Sequence, residues 1–251
     1  MAITIKTKDQ VDKMRIAGGI LADLIDILEE MIRPGITTDE LDKVAEDFIR
    51  SRGAEPSFLG YGGYPKTLCT SVNEEIVHGI PSSRKLKNGD IISIDMGAYI
   101  NGYHGDCART YGVGEISEAD RKLIEVTQQS FFEGIKFAKA GNHLYEISAA
   151  VQAYAESFGF GVVRDYVGHG IGRNMHEDPS IPNFKQIGRG PKLQKGMVLA
   201  IEPMITAGSY KCKVLKDGWT AVTRDGSNAA HYENTVLITD GEPELLTFKN
   251  K

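Results

Sequence analysis

Two short stretches of the chain end an apolar run on an acid in the same way. LKNGDIISID (86–95) closes on Asp95, and LQKGMVLAIE (193–202) closes on Glu202, after the same order of Leu, two polar residues, Gly and an aliphatic run. A second acid follows each stretch, Asp106 in NGYHGDCART and Glu233 in AAHYENTVLI, beside another β-rich run. Burying a carboxylate without a partner is too costly to arise idly. As two symmetric pairs, Asp95/Glu202 and Asp106/Glu233 would converge at the centre of a sheet. Four clustered carboxylates repel one another unless cations neutralise them, so the chemistry indicated is metal binding.

VGHGIGRNMHEDP adds His169 and His176; the counterpart of His169 at an offset of 106 is Gly63, so this imidazole belongs to one half only. Four carboxylates with one imidazole suit Mn²⁺, Fe²⁺, Co²⁺ or Zn²⁺ better than Ca²⁺ or a thiolate-bound metal. Two such ions about 3.5–4 Å apart, bridged by carboxylates and a water, form a hydrolytic centre that lowers the water's pKa toward ~7. His104 and His231 each stand two residues before a candidate carboxylate and share its strand face by period, so spacing leaves both open as ligands. His143, at a helix start, is expected in solvent.

The segments that must position these residues also repeat. IRPGITTDELDKVAEDFIRSRG (32–53) lines up with AKAGNHLYEISAAVQAYAESFG (138–159), matching Pro34-Gly35 to Ala140-Gly141, Glu40-Leu41 to Glu146-Ile147, Phe48 to Tyr154 and Gly53 to Gly159. Met14, Ala17, Leu21, Leu24, Leu28, Met31 and Ile32 recur at helical steps, giving a helix stopped by Pro34-Gly35. Thr37 with Glu40 is a capping box for a second helix with the apolar face Leu41, Val44 and Phe48. Ser117-x-x-Asp120 opens a third helix through Leu123, Thr127, Phe131 and Ile135, and Gly141-Asn142 leads into a fourth from Leu144 to Phe158. Short β-rich runs separated by Gly, Pro and Asn predict strands at 91–95, 98–101, 107–113, 162–167, 197–202 and 234–239. Helix pairs followed by strands, without strict βαβ alternation, predict an α+β fold: a curved, mainly antiparallel sheet covered by helices, in two pseudo-twofold-related halves. The expected organisation is one catalytic domain over 1–251, internally duplicated at about 8–114 and 117–247.

A net charge of −5 with no dense Lys/Arg block leaves no electrostatic footprint for nucleic acid or anionic lipid. The polar start MAITIKTKDQ and the lack of any apolar run near the roughly 20 residues of a membrane span make a cytoplasmic location the expectation. Cys69, Cys107 and Cys212 are odd in number and widely spaced, so free thiols are expected.

With these residues in view, the chain resembles the methionine aminopeptidases of the short bacterial type I class. The carriers are LCTSVNEEIVHGIP (68–81), GDIISIDMGAYINGYHGDCARTYGVG (89–114), VGHGIGRNMHEDP (167–179), GMVLAIEP (196–203) and HYENTVLIT (231–239), within a likeness running from about residue 8 to 247. The resemblance implies a pita-bread fold around a dinuclear centre of two divalent ions. Asp106 and Glu233 resemble the acids bridging both ions, Asp95 a chelating ligand of one, and His169 and Glu202 the ligands completing the other; His104 and His231 then fall outside the set. The implied reaction is hydrolysis of the first peptide bond by a metal-bridging water or hydroxide, with Glu202 taking the water's proton toward the leaving amine. His176 resembles the residue that hydrogen-bonds the scissile carbonyl and its oxyanion, and His78 the histidine beside the scissile amide.

The same resemblance implies a methionine pocket walled by Tyr61, Tyr64, Cys69 and Trp219, with Phe58 and Met175 nearby. Met175 stands where close relatives often have Phe, and Phe58 where some have Cys. The implied partners are nascent polypeptide N-termini with a small second residue, met at the ribosome, and the implied state is a monomer consisting of the catalytic domain alone. The nearest rival is another pita-bread enzyme, an aminopeptidase P or prolidase, but these usually carry a separate N-terminal domain, and only 94 residues precede Asp95. A non-catalytic pita-bread binding protein would be expected to have lost ligands, whereas all five positions are filled.

Overall fold

Capping side chains set the helix starts in a computed structural model that describes residues 2–249. Thr7 caps α1 (Lys8–Met31) in a box with Gln10, and Thr37 caps α2 (Thr38–Ser51), with Glu40 accepting from the Thr37 amide at 2.8 Å. Ser117 caps α3 (Glu118–Ile135). α4 (Leu144–Ser157) starts at His143, whose amide donates to Glu146 at 2.9 Å. His143 is not the solvated residue expected: it is half-buried, with Nδ1 3.1 Å from the Gly190 carbonyl. The buried face of α2 is Leu41, Ala45 and Ile49, leaving Val44 and Phe48 only half-covered. The face is turned by Asp42, which is buried to accept the amides of Thr67 and Leu68 at 2.9 and 2.8 Å.

The strands of the first part are β1 (Glu55–Pro56), β2 (Leu68–Val72), β3 (Glu75–Val77), β4 (Ile91–Ile100) and β5 (Tyr103–Gly112). Those of the second are β6 (Gly161–Val162), β7 (Gly168–Gly170), β8 (Glu177–Ile181), β9 (Val198–Ile201), β10 (Met204–Thr206), β11 (Cys212–Val214), β12 (Ala221–Thr223), β13 (Ala229–His231), β14 (Asn234–Leu237) and β15 (Glu244–Leu245). The strands expected at 91–95 and 98–101 are one strand, β4. Gly97, which suggested a break, is a close-packing site instead, since a Cβ there would lie 2.7 Å from Ser57 Cβ. Positive φ at Asn101 (55°) and Gly102 (82°) turns β4 tightly into β5, so the latter begins earlier than expected. The run expected at 162–167 is extended only at its start; Arg164 then leaves the sheet to stack on Phe184 and Tyr210.

Every strand ladder among the described residues is antiparallel. The orders are β1-β4-β2 with β5 beside β4, β15-β14-β9-β7-β8, β13-β10-β6 and β11-β12-β3. In β4, Ile92, Ile94, Met96 and Ala98 join one core with Leu21, Leu24, Leu28, Leu41 and Ile49 of α1 and α2. In β9, Leu199 and Ile201 join another with Phe131, Leu144 and Ile147 of α3 and α4. Strand alternation therefore turns Asp95 and Glu202 to the face away from the helices. No helix among the described residues is long and apolar enough to cross a membrane.

α1 packs so closely that a Cβ on Gly18 would lie 2.1 Å from the Leu246 carbonyl oxygen, whereas one on Gly19 would meet nothing within 4 Å. Gly18→Ala is expected to destabilise by about 1–3 kcal/mol, and Gly19→Ala to stabilise by roughly 0.5–1 kcal/mol. Urea midpoints that move together in the two variants would contradict this seating of α1.

Candidate metal centre

The four acids stand on two antiparallel strand pairs. Asp95 faces Ala108 across the β4–β5 ladder, with Asp106 opposite Gly97. Glu202 immediately follows β9 and Glu233 immediately precedes β14, where Asn234 pairs with Ile201. Side chains and backbone join the pairs: the Glu233 amide donates to the Ala108 carbonyl at 2.9 Å, and Thr235 Oγ1 donates to the Asp106 carbonyl (2.9 Å) while accepting from its amide (3.0 Å). His169 arrives on β7, opposite Ala200 of β9. One ligand atom each from Asp106, His169 and Glu233 lie within 4.8 Å of one another.

The electrostatics of this cluster fit a divalent cation. Asp95 Oδ1, Asp106 Oδ1 and Glu233 Oε1 are buried with no hydrogen-bond partner, an arrangement native proteins rarely leave without an ion or water. Burial, reinforced by Glu202 and opposed by His231, pushes Asp95 up to about 7. Burial first, then neighbouring acid charges, raises Asp106 and Glu233 well above the ordinary carboxylate range; burial raises Glu202 likewise. Asp95 and Glu202 keep some accessible surface because they border a cavity, but the protein surrounds both.

His169 carries the same message. Burial, with His176 adding, lowers it to about 3, so the ring is neutral at pH 7. Its Nδ1 lies 2.9 Å from the Gly170 carbonyl, an acceptor, so the proton sits on Nδ1 and the Nε2 lone pair points inward. Nε2 is 3.7 Å from both Asp106 Oδ2 and Glu202 Oε1. Three acceptors facing one another beyond hydrogen-bond length is a geometry for a cation between them.

Every residue to which the resemblance assigns a metal, catalytic or pocket role borders one cavity of about 160 Å³. The acids and His169 form its floor. Phe58, Tyr64, Cys69 and Met175 make an apolar wall joined by Trp219, whose ring meets Tyr64 edge-on at 5.1 Å. Tyr64 Oη lies 2.9 Å from the Leu68 carbonyl and 3.0 Å from that of Gly79, which fixes the ring. Burial, then the Asp95 charge, holds Cys69 as a thiol. His176 stands just before β8, with Nδ1 2.8 Å from Tyr61 Oη and its ring 4.2 Å from that of His169. His78 has φ of 62°, an uncommon left-handed conformation for a side-chain-bearing residue. Burial, then His231 and His176, lowers it to about 4.

The histidines left open by spacing separate. His231 Nε2 is 3.6 Å from Glu202 Oε2, whereas His104 lies outside the cavity, with Nδ1 2.9 Å from Ser57 Oγ and its ring against Tyr99. A larger concavity of about 640 Å³ opens on the helix side, between Ala22 and Ile25 of α1 and Ile124 and Thr127 of α3. It borders none of the proposed ligands, so donor chemistry and not size identifies the candidate site. Sequence reading missed Thr235, Arg109 and Asn183, whose Nδ2 donates to the Glu202 carbonyl at 2.9 Å. Each supports an acid distant in sequence or from an irregular loop, and nothing local marks it.

In the metal-stripped protein a raised acid contributes stability at low pH and loses it as pH climbs from the unfolded value toward the folded one, for Asp95 from 3.8 to about 7. The buried histidines act oppositely, favouring the fold as pH rises to 6.5 and adding nothing further above it. Stability of the stripped protein should therefore fall between about pH 6.5 and 8, and saturating Mn²⁺ should restore it. Equal urea midpoints for the stripped protein at the two pH values would contradict a cluster of buried, unneutralised acids.

The profile of metallopeptidase family M24 matches residues 12–240. The methionine aminopeptidase of Clostridium acetobutylicum is 58% identical over 246 residues, covering 98% of each chain, and that of Clostridium perfringens is 57% identical, again over 98% of each. The crystal structure of methionine aminopeptidase from Thermotoga maritima superposes with a TM-score of 0.97 at 46% identity, over 99% of this chain and 100% of that one. Sequence, fold and a cavity floored by buried acids agree: the chain belongs to metallopeptidase family M24, among its bacterial type I methionine aminopeptidases.

Proposed function

We propose that the chain removes the N-terminal methionine from nascent peptides whose second residue is small, with Asp95, Asp106, His169, Glu202 and Glu233 holding two divalent ions. The observation that carries this reading is the meeting of those five side chains in one cavity, with buried carboxylate oxygens that have no protein donor. When bound, the ions supply Lewis acidity to the substrate carbonyl and lower the pKa of the attacking water. Asp106 and Glu233, joined across the β5–β14 junction, would be the acids shared by both ions. Mn²⁺, Fe²⁺, Co²⁺ and Zn²⁺ all match the donor types.

The remaining roles fall to the chain's own groups. Glu202 takes the water's proton and delivers it to the leaving amine. Neutral His176, oriented by Tyr61, donates to the carbonyl oxygen as charge develops there. Neutral His78 binds beside the scissile amide. Phe58, Tyr64, Cys69, Met175 and Trp219 enclose an unbranched, polarizable side chain, with Tyr61 at the mouth. A bulky second residue would collide with the walls next to the metal site. Nascent N-termini are the partners, encountered at the ribosome by a monomer.

Chelator-stripped protein should regain activity with Mn²⁺, Fe²⁺ or Co²⁺ and release Met from Met-Ala-Ser, leaving Ala-Pro-Ser intact. Preferential cleavage of the proline peptide would transfer the chain to the prolidase type of activity. Glu202→Gln should lower kcat by about 10²–10⁴-fold, and Asp106→Asn should lose bound metal as well as turnover. An Asp106→Asn protein with full metal content and rate would remove the bridging assignment.

A further inference from the structure

Arg109 lies on β5, three residues beyond Asp106, and is only 8% exposed. Its hydrogen bonds all go to neutral acceptors. Nη1 donates to the carbonyls of Ala108, at 2.8 Å, and Glu233; Nη2 donates to Asn234 Oδ1 at 2.7 Å. The guanidinium carbon sits 4.3 Å over the ring of Tyr232. One side chain from the strand of Asp106 thus grips three consecutive residues, Tyr232, Glu233 and Asn234, around the acid that faces Asp106.

Taking a guanidinium out of water is costly, so mere satisfaction of three acceptors does not account for it. What arginine adds is a planar fork that reaches several acceptors in fixed directions and can stack on a ring at the same time. The Glu233 amide donates to the same Ala108 carbonyl that accepts from Arg109, which closes the link between the strands. Asn234 Oδ1 accepts in addition from Thr247 Oγ1 at 3.0 Å, so the far end of the fork is itself anchored.

We propose that Arg109 is a positioning residue for the metal centre, setting the separation of Asp106 and Glu233 where the two strand pairs meet. The inference rests on the reading that these two acids hold metal. Groups that orient metal ligands typically change affinity by about 10–100-fold when removed.

The test uses the full chain and its Arg109→Lys and Arg109→Gln variants, stripped with chelator. Mn²⁺ titration by calorimetry, the visible spectrum of the Co²⁺ form and urea unfolding in chelator are measured on each. Positioning requires Mn²⁺ affinity to fall at least about tenfold in Arg109→Gln, a changed Co²⁺ spectrum, and partial recovery of both in Arg109→Lys. Where Arg109→Gln does not fold, Arg109→Lys together with Asn234→Ser, which shortens the fork's distal acceptor, decides by the same readouts. Parent-like Mn²⁺ isotherms and Co²⁺ spectra in the folded variants overturn the proposal even if their stability falls, because Arg109 would then be structural only. A parent chain that binds no Mn²⁺ would instead defeat the metal-centre reading itself.

Discussion

Four carboxylates are held inside the protein with too few donors to satisfy them, and the rest of the architecture depends on that constraint. Asp106 and Glu233 are almost fully buried, and each has an oxygen without a partner. In water such groups ionise near pH 4, but here burial and mutual repulsion hold their protons far longer. A protein can hold such a cluster by protonating it or by binding a cation. The second route gives a site at neutral pH whose charge is supplied from outside, and whose stability is linked to metal through mass action.

Simple strand periodicity delivers the acids. Because side chains alternate, the residues that seal β4 and β9 against their helix pairs commit Asp95 and Glu202 to the opposite face. A slip of one residue in either strand would turn an acid into the helix core. The helices therefore matter to the chemistry without touching it: caps at Thr7, Thr37 and Ser117 fix where each begins, and the aliphatic packing fixes which way the strands face. Where the two strand pairs meet, regular pairing gives way to side-chain links through Thr235, Arg109 and Thr110, the last accepting the His231 amide at 2.8 Å.

The acids, the helix starts at Thr37 and Ser117 and the antiparallel character were legible in the sequence because each leaves a pattern there: an apolar run ending on a charge, a capping pattern, and helix pairs followed by strands without strict βαβ alternation. Gly97 misled because a glycine that admits a neighbour and one that ends a strand look alike without the neighbour; here Ser57 and Phe58 fill the space a side chain would need. His104 and His231 were indistinguishable by spacing, yet only the latter ends beside Glu202, because Ser57 and Tyr99 draw the former outward near the hairpin end. The apolar face of α2 shifted for a similar reason, a buried Asp42 binding amides 25 residues away. Each miss involves a partner that local sequence does not reveal.

Near-symmetry alone would make a site equivalent from either side, and a peptide has distinct ends. The asymmetry comes from loops that the strand pattern leaves free. His169 and His176 come from the segment around β7, with no histidine at the matching first-part position, Gly63. The first part instead supplies His78 and the apolar wall from Phe58 to Cys69. Pairing of β12 with β3 carries the preceding loop across this boundary and brings Trp219 against Tyr64. Similar strands thus hold the charge while dissimilar loops give it direction, separating the groups proposed for the scissile bond from those that would receive the methionine side chain.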